Sequence, residues 1–286
     1  MIISFVVLHY ESLDDTIKCI DSLKKYLIDN SVNIIVVDNG SKKGKLNIIK
    51  EKYNEDRIYF IFSDKNLGFA KGNNLGFVFA KNILHSNVII LCNNDLLFIQ
   101  SEFITKLKLK IEKLNFDIAG PKIISLVDNQ NQNPVPYLYP TLKSVKKRKI
   151  KLQILYYLSF FELDIFIKKF FSKNIEEMKN WEKSEYQLHG ACLIFGPCYI
   201  KQFDGLYNET FMYMEEGILK YLSKKYCLNM LYISDLEVYH KEGSTTGKIY
   251  GEGKNKRQFF YKWNIDGCNK LINLMLMQEK KEKGEL

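Results

Sequence analysis

The chain has 286 residues, 46% of them hydrophobic, which is material for one large domain with a sizeable core and excludes a small scaffold stapled by disulfides or metal. Its formal charge of +9 favours an anionic partner, be it nucleic acid, an acidic membrane leaflet or a phosphorylated substrate, without choosing among them. Six cysteines without a CxxC pair read as buried thiols in a reducing compartment, and no uncharged apolar run approaches the roughly 20 residues that span a bilayer.

Met1 leads directly into a short apolar run, residues 2 to 8, with no basic region before it, so the opening reads as a first strand and not as a signal peptide. This predicts a cytoplasmic protein. Acidic Asp14 and Asp15 then open a helix whose Ile17, Ile20, Leu23 and Leu27 recur at helical spacing, and Val32 to Val37 forms a second strand closing on Asp38-Asn39-Gly40-Ser41. Strand, helix, strand is a βαβ opening. Gly40 to Lys45 fails as a phosphate loop, because it has three residues between its glycines instead of four and Leu46 follows the lysine. Asp38 is a carboxylate at a strand end or the acceptor of an Asx-turn, and the segment leaves both open.

A lysine-rich helix over about residues 43 to 54 leads to a strand at Ile58 to Phe62 and then to Asn66-Leu67-Gly68-Phe69-Ala70-Lys71-Gly72-Asn73-Asn74-Leu75-Gly76. Gly68, Gly72 and Gly76 share one face of a helix running to Leu84. They serve close packing on a sheet or the approach of a ligand such as a nucleotide to the backbone. The fourth strand, Val88 to Cys92, ends in Asn93-Asn94-Asp95. In an open α/β sheet the ligand crevice lies beyond the carboxyl ends of the strands, where a carboxylate can hold a hard cation against a diphosphate; the plainer reading is a turn.

Ser101 caps a further helix, and Phe116 to Ala119 reads as a strand. Residues 121 to 150 change character, with an Asn/Gln run and three prolines marking irregular surface, and then a basic run from Lys143 to Lys151 abuts an aromatic helix expected over Leu152 to Phe171. Such a pair suits the interface of an anionic membrane, or is a helix packed beside a solvated charge run, or a nucleic-acid patch. Gln187 to Phe195 is again strand-like. A short helix from Gly196-Pro197 ends near Asp204-Gly205, and another begins at Glu215-Glu216, where its dipole favours carboxylates whatever their use. A last strand, Met230 to Val238, leads to His240, structural or metal-ligating, and then to Gly243 through Gly247. A basic loop from Gly251 and a C-terminal helix complete the chain.

Val36-Val37-Asp38-Asn39-Gly40-Ser41, Asn66 through Asn74, Leu91 through Asp95, Glu215-Glu216 and His240, in that order, resemble family 2 glycosyltransferases, in particular the rhamnosyltransferase-like bacterial members that build surface polysaccharides. The resemblance implies an α/β GT-A fold, with a mixed, mostly parallel sheet flanked by helices. The match covers roughly residues 2–120 and 187–247 and implies a nucleotide-sugar-binding half (1–120) and an acceptor-binding and catalytic half ending in a helix (187–286); the basic and aromatic insert between them (121–186) matches nothing in the family and is the candidate for membrane or acceptor contact. The resemblance further implies inverting transfer from a nucleoside diphosphate sugar, of the dTDP-rhamnose or UDP-sugar type, to a saccharide or lipid-linked saccharide, assisted by Mg²⁺ or Mn²⁺. Asp95 and His240 would hold the metal. His9, Tyr10, Glu11, Asp38, Asn39, Asn66, Gly68, Lys71, Asn73, Asn93, Asn94 and Asp95 would hold the donor, and Glu216 or Glu215 would be the base. Asn93 stands where the family's first Asp is usual, and Ile218 where a further Asp follows the Glu-Asp pair. No nucleic acid is expected as partner, and the place of action is the cytoplasm or the cytoplasmic face of the inner membrane. Two alternatives remain: a nucleotidyltransferase, although the first strand lacks that class's Gly-rich signature, and a noncatalytic carbohydrate or nucleic-acid binder on the same fold.

Overall fold

The computed structural model describes residues 1–42, 45–171, 185–242 and 253–284. Strands β1 (Ile3–His9), β2 (Val32–Asp38), β3 (Ile58–Phe62) and β4 (Val88–Asn93) are parallel, with β1 between β2 and β4. Their apolar runs do not alternate with polar residues because both faces of the sheet are covered. Ile3, Phe5 and Val7 enter one core with Cys19, Ile20 and Leu23 of α1 (Leu13–Lys24), whereas Val6 enters a second with Ala70, Phe77 and Ala80 of α3 (Phe69–Asn82). From β1 the chain builds outward through β2, α2 (Lys45–Lys52) and β3, then returns to place β4 on β1's other side. The carboxyl ends of β1, β2 and β4 therefore flank a topological switch point, where such sheets bind ligands.

The second half completes the same sheet. After β5 (Leu96–Leu97) and α4 (Phe103–Lys113), β6 (Ile118–Ser125) adds on, and β9 (Cys192–Phe195) runs antiparallel between β4 and β6. β10 (Met230–His240) lies parallel to β6, and its end pairs antiparallel with β5, giving the order β3-β2-β1-β4-β9-β6-β10-β5. The sheet is thus mixed and mostly parallel, as expected, and strands of the two halves interleave within it. A small ribbon joins β7 (Val135–Pro136) to β8 (Tyr186–Gln187).

A third core lies among helices. Val145, Leu152 and Leu155 of α5 (Leu142–Ser159) pack with Ile218 of α8 (Glu215–Lys225) and with Tyr261, Cys268 and Leu271 of α9 (Lys254–Glu282). Ile218 is fully buried there, an apolar residue suited to a dry site where the family's carboxylate would be desolvated.

Several expectations change. The basic run is itself helical: α5 begins at Leu142 because Thr141 and Ser144 form a capping box, with Ser144 N donating to Thr141 Oγ1 at 3.2 Å. The single helix expected over 152 to 171 is broken at residues 160–163, after which α6 (Asp164–Phe171) starts. Buried Asp164 accepts from Arg257 Nε at 2.8 Å and from the Tyr261 hydroxyl at 2.7 Å, which fixes α6 to α9. A Cβ on Gly76 would lie 2.3 Å from Val6 Cγ1, and one on Gly72 2.8 Å from Leu8 Cδ1, so these two glycines serve packing of α3 on the sheet and leave no gap for a nucleotide. Cys19, Cys92, Cys192 and Cys268 are buried thiols, but Cys198 and Cys227 are exposed. Gly243 to Gly247 and the start of the loop expected from Gly251 lie outside the described residues.

Candidate active site

A cleft of about 290 Å³ opens where the carboxyl ends of β1, β2, β4 and β10 meet. Its first wall comes from Tyr10, Asn39, Asn66 and Gly68. Asn39 is the hub of that wall: its Oδ1 accepts from Leu67 N at 2.9 Å and its Nδ2 donates to Gly68 O at 3.0 Å, while Asn66 Oδ1 accepts from Gly68 N at 2.9 Å. Gly68 precedes α3 with φ +85°, a left-handed conformation that glycine adopts without a steric penalty, and a Cβ there would strike the Phe211 carbonyl.

The second wall follows β4. Asn93, Asn94 and Asp95 all line the cleft, but Asn94 turns its amide inward and donates to Thr16 Oγ1 at 2.8 Å. Asp95 Oδ1 lies 3.2 Å from His240 Nε2, and both residues are buried. His240 Nδ1 meets Gln132 Oε1 at 2.7 Å. When Nδ1–H donates to that acceptor, a neutral His240 directs its Nε2 lone pair at the Asp95 carboxylate, and a proton or a cation between the two relieves the contact.

The third wall carries acid–base groups. Gly190 N donates to Glu216 Oε1 at 3.2 Å, and Ala191 N donates to His189 Nδ1 at 3.1 Å, so neutral His189 carries its proton on Nε2. Burial holds the His189 imidazole below its usual range, and its ring meets His240 edge-on with centroids 5.8 Å apart. The three residues His189 to Ala191 thus touch both the Asp95–His240 pair and Glu216. Glu215 is buried, and desolvation, reinforced by the neighbouring Glu216 charge, pushes its carboxyl up to about 8, so it is largely protonated at neutral pH. Glu216 is half-buried on the cleft wall.

Just before α8, Tyr213 (φ 69°) and Met214 (φ 71°) are both left-handed, a conformation costing on the order of 1–3 kcal/mol for each non-glycine residue. Aromatic packing holds them in place. Phe211 stacks on Trp263 at 4.3 Å, Tyr213 meets Phe260 at 5.0 Å, and Phe211 O accepts from Phe69 N at 2.7 Å, joining this loop to the start of α3.

Of the donor-binding residues expected from the sequence, Tyr10, Asn39, Asn66, Gly68, Asn93, Asn94 and Asp95 come together in the cleft, and His9, Glu11, Asp38, Lys71 and Asn73 are not on its wall. Strand parity decides two of these. Leu8 and Tyr10 reach the cleft, so His9 faces α1 and meets Thr16 Oγ1 at 2.6 Å; Asn39 reaches it, so Asp38 closes an Asx-turn on Ser41 N at 3.0 Å. Glu11 Oε1 accepts from Lys42 N at 2.9 Å, Lys71 is exposed on α3, and Asn73 donates to Phe69 O at 3.0 Å. His189, Met212 and Tyr213 line the cleft without having been singled out. A His-Gly pair before an apolar run was the available signal for the first.

The model of glycosyl transferase family 2 matches residues 4–172, more than half of the chain. The chain belongs to glycosyl transferase family 2. This transferase is 25% identical over 243 residues to the low-salt glycan biosynthesis hexosyltransferase Agl10 of Haloferax volcanii, covering 84% of its own length and 67% of that relative. Staphylococcus aureus TarS 1–349, in a crystal structure with UDP, shares the GT-A fold at a TM-score of 0.56 and 16% identity; the match covers 84% of the transferase and 60% of that chain. The mannosyltransferase PcManGT of Pyrobaculum calidifontis, solved with GDP-Man and Mn²⁺, matches at a TM-score of 0.53 and 8% identity over 93% of the transferase and 72% of that chain. Among the described residues no group of three or more His, Cys, Asp and Glu side chains gathers into a metal site, and no helix is long and apolar enough to cross a membrane.

Proposed function

We propose that the transferase moves a sugar from a nucleoside diphosphate sugar, of the UDP or dTDP class, to a hydroxyl of a saccharide or lipid-linked saccharide in surface polysaccharide synthesis, inverting the anomeric centre. The observation that carries this reading is the His189–Ala191 segment, which ties a carboxylate–imidazole pair to a separate carboxylate within one cleft. The wall of Tyr10, Asn39, Asn66 and Gly68 takes the base and ribose, which makes residues 1–120 the donor half and residues 187–286 the acceptor half.

Glu216 is the base. Its carboxylate takes the proton of the acceptor hydroxyl as that oxygen bonds to the anomeric carbon and the bond to the diphosphate breaks. Glu215 is the poorer candidate of the pair, because its burial favours the protonated form of its carboxyl. His189 adds a neutral N–H donor to the wall. The donor set suits a hard divalent cation, because such ions are commonly held by one or two protein ligands and the substrate's own phosphates. Asp95 and His240 would hold Mg²⁺ or Mn²⁺, which when bound supplies positive charge to the departing diphosphate. The UDP complex of TarS and the GDP-Man and Mn²⁺ complex of PcManGT support this reading by their chemistry.

The test compares Glu216→Gln with Glu215→Gln, after a thermal-shift screen of UDP, dTDP and GDP with and without Mn²⁺ has identified the nucleotide. Turnover should fall by about 10²–10⁴-fold in Glu216→Gln with nucleotide stabilisation intact, and far less in Glu215→Gln. Undiminished turnover in Glu216→Gln would remove the proposed base, and saccharide binding with no turnover of any donor would favour the noncatalytic alternative.

A further inference from the structure

The helical layer beside the cleft presents a face that the transfer chemistry does not use. α5 buries Val145, Leu152, Leu155 and Ser159 on one side. The opposite side changes character along its length. Lys143, Lys146, Lys147 and Lys151 are exposed towards its start, and Ile154 and Tyr157 towards its end. From Lys147 to Tyr157 is about 15 Å at the helical rise. The turn that follows extends the apolar end: Tyr157 is 68% exposed, Phe161 78% and Phe166 72%, with Phe160 and Leu163 also exposed beside them. Large aromatic side chains in that state, gathered in one place, mark a surface made to be covered. Charge selects the cover. Between residues 142 and 171 the acids are Glu162, exposed in the turn, and Asp164, buried and bonded to Arg257 and Tyr261, whereas eight lysine and arginine residues fall in the same span.

We infer that this face docks on the surface of an anionic lipid bilayer, with the aromatic turn entering the headgroup and acyl boundary and the lysines of α5 lying against lipid phosphates. Apolar residues beside a basic stretch combine the two attractions that hold interfacial helices, burial of hydrocarbon and pairing with anionic headgroups. A nucleic acid would use the lysines and could stack bases on the aromatics, but the aliphatic Ile154, Leu163 and Ile165 exposed among them offer bases nothing, whereas a bilayer takes up all three kinds of side chain. The docked face is also joined to the cleft. Lys254 Nζ donates to Phe160 O at 2.8 Å and Arg257 holds Asp164 at 2.8 Å, while Phe259 and Phe260, one turn further along α9, meet Tyr213 on the cleft wall at 6.3 and 5.0 Å. A bilayer at the aromatic turn therefore lies on the side of the cleft walled by Tyr213, and with residues 187–286 taken as the acceptor half a lipid-anchored hydroxyl is the acceptor class that suits it. That last step rests on the proposed transfer; the docking does not.

The test is co-sedimentation of the full chain, without donor or metal, with vesicles of phosphatidylcholine alone or with 30% phosphatidylglycerol, at about 0.1 and 0.5 M salt. The chain should pellet with the anionic vesicles at low salt, lose most of that binding at high salt, and lose at least tenfold in partitioning in Phe161→Ser/Phe166→Ser. Both of those residues are exposed, so the melting temperature should be unchanged; should that variant melt early, Lys143→Ser/Lys147→Ser replaces it and must lower anionic binding at unchanged melting temperature. Equal pelleting with both vesicle types, no pelleting at all, or wild-type partitioning in a stably folded variant overturns the inference. So does a dimer in sedimentation velocity that dissolves on Phe161→Ser, because the face is then covered by a second copy of the chain. The readout contains no turnover, so it stands or falls apart from the proposed reaction.

Discussion

Gly190 offers a direct way to displace the proposed base without touching it. A Cβ built on Gly190 would lie 2.5 Å from Glu216 Oε1, 3.1 Å from Cδ and 3.3 Å from Cγ. An ordinary carbon–oxygen contact needs about 3.3 Å, so in Gly190→Ala the carboxylate must retreat by about 0.8 Å. The obstacle is the far end of a flexible side chain, so the fold should lose less than about 1 kcal/mol. Catalysis should lose far more, because misplacing a reacting group by about 1 Å costs up to about 10²-fold. The assay is initial rates of nucleoside diphosphate release at varied donor concentration, alongside thermal unfolding. We expect kcat to fall by about 30- to 100-fold, with KM for the donor and Tm nearly unchanged. The Gly190→Ala/Glu216→Gln double variant should be no slower than Glu216→Gln alone, since both changes act through one carboxylate. Wild-type kcat in Gly190→Ala would refute the assignment of Glu216 in its observed place, and additive losses in the double variant would show that Gly190 acts by another route.

Glu215 should make the fold sensitive to pH. Between its ordinary value of 4.5 and about 8 the folded chain keeps a proton that the unfolded chain has released, so stability falls as pH rises through that window, by a total on the order of 5 kcal/mol, and levels off above it. Glu215→Gln should flatten this slope in urea melts taken from pH 5 to 9, and an unchanged slope counts against a buried, protonated Glu215. Gly76→Ala presses a methyl to 2.3 Å from Val6 Cγ1 and should cost about 1–3 kcal/mol in thermal melts while leaving nucleotide affinity intact; weaker nucleotide binding without loss of stability would instead place a ligand against that glycine. Ile218→Asp puts a carboxylate into the third core and should cost more than about 4 kcal/mol with no gain in turnover, and a stable, faster enzyme would show that the family's acid is missed here.

The parallel strands were legible because short runs rich in Ile and Val, bounded by polar turn residues, are too brief for a buried helix and fit a strand covered on both faces. Asn93 to Asp95, Glu216 and His240 stood out only through their ordered resemblance to family 2 glycosyltransferases, because a strand or helix end by itself reads equally as a turn, a dipole-favoured carboxylate or a structural histidine; the structure brings them to one cleft. What was hidden lay in parity and in tertiary seating. His9 and Tyr10 are neighbours in sequence, and only the facing of β1 sends one to Thr16 and the other to the cleft. His189 sits ahead of an apolar run and looked like part of a strand, though β9 starts only at Cys192. The capping box that starts α5 ends in Ser144 where Glu or Gln is usual, so the helix start carried no readable sign and the lysines looked like a charged lead-in. Tyr213 and Met214 carry nothing in their chemistry that predicts left-handed backbone; α9, some 50 residues on, imposes it through Phe260 and Trp263.

The position of β9 limits how this enzyme can work and how it can be rebuilt. A strand of the later half is hydrogen-bonded on both edges to strands of the earlier one, so there is no seam about which the halves could swing apart. Among the described residues, the parts of the cleft wall that lie outside the sheet include Asn66 to Gly68 and Phe211 to Met214, whose contacts include each other and α9. Recombination between relatives meets the same barrier. A crossover between the halves exchanges a central strand and disturbs both sheet cores, and the helical layer is bound in as well, because β9 and β10 lie between α5 and α9 in sequence and α9 grips the Phe211–Met214 segment through Trp263 and Phe260.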